Sequence, residues 1–92
     1  MKYELIIEGR NFLVKFGWRR KKHGFYKTVR VEADDPDAAE LKGVEFVRSD
    51  AEIRKLTRNS KDDPPTLHLD SWTELPEDAS VDYMGGASWY PE

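Results

Sequence analysis

There is no cysteine among the 92 residues. That excludes disulfide staples, thiol nucleophiles and thiolate metal sites, and it suits a reducing compartment. Long apolar runs are also missing. The longest near the N-terminus is Leu5-Ile6-Ile7, whereas a signal peptide needs about 7–15 apolar residues and a membrane helix about 20. A soluble, cytoplasmic protein is expected. Histidine is scarce, with only His23 and His68, and Gly85-Gly86 lacks the Lys-Ser/Thr that would complete a phosphate-binding loop. Ser49, Ser60, Ser71, Ser80 and Ser88 fall in no nucleophile-elbow motif. Most carboxylates fall in caps and loops, where water leaves them ordinary. A chain this short also has little volume for a water-excluding pocket. No catalytic residue, metal or cofactor is assigned, and a small enzyme is the less expected reading.

Charge is present but unevenly spread. The net charge is −3, yet residues 1–31 carry nine Lys/Arg against two Asp/Glu, and residues 32–92 carry six against sixteen. Such asymmetry fits a nucleic-acid surface on the basic half. It fits equally a fold whose halves attract one another, or subunits that pair through them.

Hydrophobic periodicity supplies the fold. Residues 3–9 read as a strand with Tyr3, Leu5 and Ile7 on one face, ending in a turn signal at Gly9-Arg10-Asn11. Residues 12–18 read as a second strand and residues 25–33 as a third. Phe25, Val29, Val31 and Ala33 share a face of the third, and the polar segment Arg19–Gly24 forms a long hairpin loop between them. The period then lengthens. Asp34-Asp35-Pro36-Asp37 is a helix start, because the residue before proline leaves the α region and Pro36 suits the first helical position. The helix runs to about residue 48 with Ala39, Gly43, Phe46 and Val47 in one stripe. Gly43 costs roughly 1 kcal/mol against alanine, so a close approach to the sheet is expected there. Ser49-Asp50 caps a further turn that carries Ile53 and Leu56 inward.

Residues 57–65 are a loop, and residues 66–72 a fourth strand, at an edge, with Leu67 and Leu69 inside and His68, Asp70 and Trp72 outside. The domain spans residues 1–75. Residues 76–92 form an acidic, aromatic-containing tail, either a short strand or partly disordered. The expected architecture is α+β: an antiparallel sheet of four or five strands, ordered β-β-β-α-β, with one main helix packed on one face.

Three features could carry function. Arg19, Arg20, Lys21 and Lys22, with Lys27 beyond, stand beside Trp18 and Tyr26. Cations could contact phosphates while an aromatic stacks on a base, or they could simply keep an exposed hairpin from pairing edge to edge. His68 and Asp70 stand two apart on a strand and could share an ion, but no third ligand lies at a diagnostic spacing. Finally, Trp18, Tyr26, Trp72, Tyr83, Trp89 and Tyr90 are too many rings for so small a core. Surface Trp and Tyr rimmed by charge carry interface energy; alternatively, the tail folds back and covers Trp18 and Trp72.

The run Gly24-Phe25-Tyr26, with Thr28, Val31-Glu32-Ala33 and Ala39-Glu40, resembles a motif in a family of short uncharacterised bacterial proteins of unassigned function. The loop from Asn59 to Asp62-Asp63-Pro64-Pro65 is similar to a second signature of that family. The resemblance implies a compact bacterial, cytoplasmic α+β domain and no catalytic residue. The expected function is a non-catalytic protein-interaction module, including a homodimer, through the sheet edge and Trp18, Tyr26, Trp72, Trp89 and Tyr90. Nucleic-acid binding through Arg19, Arg20, Lys21, Lys22 and Lys27 is the alternative.

Overall fold

The computed structural model describes residues 1–81 and 83–92. The fold is α+β, an antiparallel sheet with the main helix and a short one on the same face. Strand β1 (Lys2–Phe16) lies between β2 (Arg19–Glu32) and the edge strand β3 (Thr66–Leu75). Helix α1 (Pro36–Arg48) and helix α2 (Ala51–Leu56) intervene in sequence. On the far side of β2 lie two short strands, β4 (Tyr83–Met84) and β5 (Ser88–Pro91), so residues of the acidic tail complete the sheet.

The first two predicted strands are halves of one. Asn11 does adopt the left-handed region, at φ 61°, but a single such residue makes a bulge rather than a reversal. The register passes from Gly9↔Phe25 to Phe12↔His23, with one extra residue on β1. The insertion lets Phe12 and Val14 share a face with Tyr3, Leu5 and Ile7. The segment Arg19–Gly24 is correspondingly strand, not loop. The reversal sits at Gly17-Trp18, with Phe16 opposite Arg19. Gly17 has φ +67° and is the one turn residue in the positive region, the requirement of a tight II′ hairpin turn.

Helix α1 begins as its sequence dictates. Asp35 accepts from the Ala38 N–H at 2.7 Å, and Pro36 occupies the first turn. Asp50 caps α2 by accepting from the Glu52 N–H at 2.8 Å. Gly43 lies where a Cβ would overlap the Leu5 side chain, so its absence lets α1 close on the sheet. The core collects Tyr3, Leu5, Ile7, Val14, Phe25, Val29, Val31, Ala39, Val47 and Ile53.

Edge strand β3 carries its own bulge, between Leu69 and Ser71 opposite Ile7 and Ile6. The inserted Asp70 reverses the side-chain alternation beyond it. Trp72 therefore stands opposite Leu5 on the helix side, its ring edge-on to Tyr3 at 5.7 Å. The expectation that it shares the outer face with His68 is corrected by that one residue.

Candidate functional site

Two surfaces stand out, the end of the β1–β2 hairpin and the sheet face that no helix covers. The hairpin is anchored at its base. Arg58 N–H donates to the Leu13 carbonyl at 2.7 Å, and Asn59 Oδ1 accepts from Leu13 N–H at 2.8 Å. Asn59 Nδ2 donates to the Asn11 and Asp63 carbonyls, while Lys22 pairs with Asp63. The loop signature noted in the sequence thus holds the bulge and the base of the arm. Beyond it, Lys15–Lys21 form the exposed end of the arm in a molecule measuring 45 × 23 × 20 Å, with the Phe16 ring packed against His23 and Trp89.

At the tip Trp18 is 82% exposed, with the Arg19 guanidinium 4.7 Å from its ring centre. Phe16 is also exposed, and Arg20, Lys21 and Lys15 complete the surface. Among the described residues none of these four cations is ion-paired. Exposed tryptophan and unpaired arginine together are the composition of an interface anchor.

The uncovered face centres on Glu8, whose side chain is 4% exposed although it points away from the helices. Tyr90 donates its hydroxyl to Glu8 at 2.6 Å, His68 Nε2 lies 2.9 Å from the same carboxylate, and Arg10 Nε lies 3.3 Å away. Tyr90 reaches it by lying across Gly24, where a Cβ would collide with its ring, and Tyr26 packs beside it at 5.6 Å. The Tyr90 bond, with the Arg10 and His68 contacts, outweighs burial and holds the Glu8 carboxyl down at about 2. The same bond pushes Tyr90 up to about 12. A carboxylate saturated by three donors and ionised at all ordinary pH is poorly matched to proton transfer near neutrality. It is well matched to tying β3 and β5 to the central strand.

No family model, curated protein or solved structure matches this chain. Function is accordingly read from the geometry, which redistributes the residues singled out in the sequence. Lys27 is not on the arm's surface. It faces the helices between Phe25 and Val29, 5% exposed, and its Nζ meets Asp50 Oδ2 at 2.6 Å. Burial would raise the Asp50 carboxyl, but Lys27 and the α2 N–H groups hold it below its usual value. Lys22 is spent on Asp63. Arg19, Arg20 and Lys21 remain available, joined by Lys15.

The aromatic set also divides. Trp89, opposite Phe25, packs its ring 5.0 Å from Phe25 and 5.8 Å from Phe16, capping the core from within the chain. Tyr90 belongs to the Glu8 cluster, Tyr26 is partly covered by it, and Trp72 is half covered by Tyr3. Trp18 is left alone at the tip. His68 turns to Glu8, and among the described residues no three His, Asp or Glu are grouped to hold a metal ion. Sequence reasoning missed Glu8. The available signal was a lone carboxylate mid-strand, opposite Tyr26 and within reach of a histidine. No helix among the described residues is long and apolar enough to cross a membrane.

Proposed function

We propose that this chain is a protein-interaction module that docks through the tip of its hairpin arm. The observation that carries the reading is Trp18, almost wholly exposed at the end of a rigidly anchored ribbon and flanked by Arg19, Arg20 and Lys21. An exposed indole contributes nothing to the chain's own core, and in a partner's pocket it is the side chain that gains most from losing water. The sheet edge is the weaker docking element. On β3, the bulge at Asp70, exposed Glu74 and flanking prolines are features that protect an edge from strand addition. Affinity capture from cell lysate tests the proposal, comparing wild type with Trp18→Ala and with Arg19→Ala/Arg20→Ala/Lys21→Ala. A protein retained by wild type and lost by both variants supports it. Equal retention by all three refutes it.

One observation favours a second reading, in which the arm binds single-stranded nucleic acid. Residues 9–31 hold eight Lys/Arg and no Asp/Glu, and a stacked Trp18–Arg19 pair suits a base beside a phosphate. With three or four arm cations engaged, log affinity should fall with log salt at a slope of about −2 to −3. Fluorescence anisotropy with a labelled oligonucleotide measures it; a flat salt response or absent binding excludes it.

A further inference from the structure

We infer that the partner of the arm is a second copy of this chain, whose opposite end presents the seat for the tip. The inference rests on the protein-interaction reading above and names its partner. Strand register places the two ends. Phe16 and Arg19 close one end of the long axis, while Lys2↔Glu32 and Lys2↔Leu75 mark the other. At that second end a cleft of about 270 Å³ opens between the end of β2 and α1. Met1, Ala33 and Ala38 form its apolar part, and the exposed Glu32, Asp34 and Lys42 complete the lining.

Chemically, the tip and the cleft are complementary. An indole carrying a guanidinium on its face suits apolar side chains set among carboxylates, and Ala33 and Ala38 line this cleft together with Glu32 and Asp34. Further exposed carboxylates at this end, Asp37, Glu74 and Glu77, extend the negative field towards an approaching cationic arm. Lys2 is engaged with the backbone carbonyls of Glu77 and Ala79, at 2.5 and 2.8 Å, and Lys42 donates to the Glu32 carbonyl at 2.7 Å. Lys2 and Lys42 are thereby directed at main-chain oxygens rather than at the Glu32 and Asp34 carboxylates.

Tip and cleft are different surfaces at opposite ends, so the contact is head-to-tail. A heterologous contact does not close on itself in pairs; it extends into rings or open chains. Because its charges are exposed, it weakens as added salt shortens the Debye length from about 10 Å at 0.1 M to about 3 Å at 1 M.

Charge reversal in two separate chains provides the test. Arg19→Glu/Arg20→Glu carries a reversed tip and a native cleft, and Glu32→Lys/Asp34→Lys carries a native tip and a reversed cleft. The side chains at all four positions lie outside the core, and circular dichroism checks folding. Sedimentation velocity of purified wild type should show mass rising with concentration at low salt and falling at high salt. Each variant alone should remain monomeric, since like charges then meet at every contact. Mixed one to one, they should assemble again, because each tip finds a cleft of opposite sign. A monomeric wild type, a salt-insensitive dimer, or a mixture that stays monomeric overturns the inference. If purified wild type is monomeric while lysate capture still depends on Trp18, only the identity of the partner is lost and the arm remains the docking element.

Discussion

Replacing Lys27 with methionine should destabilise the domain by about 3–5 kcal/mol. Methionine matches the lysine stem in length, so the substitution leaves packing beside Ile7, Phe25 and Val29 nearly unchanged. What it removes is the ammonium group 2.6 Å from Asp50, whose side chain is 10% exposed. Breaking a buried pair from one side leaves an uncompensated charge, which costs about 3–5 kcal/mol. Against a total stability of about 5–14 kcal/mol for 92 residues, that is a large fraction. With a urea slope of about 1–1.5 kcal/mol per M, the midpoint should fall by 2 M or more.

Asp50→Asn provides the second arm of the cycle. Asparagine caps helices as well as aspartate does, so the α2 cap survives while Lys27 is left unpaired. The double variant, with neither charge, should be more stable than either single one. The pH response follows from the sign of the shift. A carboxyl held below its usual value contributes stability above that value and loses it as pH falls, so wild type should lose this contribution on acidification. Lys27→Met should abolish that loss. Urea titrations followed by tryptophan fluorescence measure all four chains. A Lys27→Met cost below about 1 kcal/mol, with additive singles, would refute the buried pair and return Lys27 to the surface.

Glu8→Gln should flatten the acid limb of the stability profile. In wild type the Glu8 contribution is complete above its ordinary value of 4.5 and drains away as pH falls towards about 2; acid titrations by circular dichroism that coincide for the two chains would contradict this. Gly24→Ala should cost about 1–3 kcal/mol, the usual range for overpacking, because the new methyl group displaces Tyr90 from Glu8. Faster hydrogen exchange in β5 than in β1 would accompany it, and an unchanged exchange pattern would show that Tyr90 does not need that space.

Helix α1 was legible in the sequence because its signals are local: an aspartate cap, a proline at the first position and an apolar stripe interrupted by Gly43. The α+β class followed from the change of period at residue 34. Less legible were features that depend on what lies across the sheet. Asn11 announces a positive φ, but whether that residue bends or reverses the chain depends on the length of the partner strand. The parity of the apolar residues does carry the answer: odd positions to Ile7 and even ones from Phe12 imply one strand with an insertion. The bulge at Asp70 changed the face of Trp72 for the same reason. Lys27 sits in phase with Phe25 and Val29, so its burial was written in the alternation, although its partner Asp50 lies beyond the helix. Glu8 has a local partner in Arg10, but His68 and Tyr90 come from remote strands that only the tertiary fold brings to it.

Trp89 caps Phe12 and Phe25 from β5, a strand far along the chain from the hairpin it pairs with. The β1–β2 hairpin closes over a two-residue turn, so its loop-closure entropy is small and it can form early. Strand β5 must return past both helices, the loop and β3 before it meets β2. Until then two phenylalanine rings face solvent on a ribbon of high strand propensity, the kind of surface that aggregates when it is left open. The tail thus acts as a latch, its pairing with β2 covering rings that the hairpin alone leaves open.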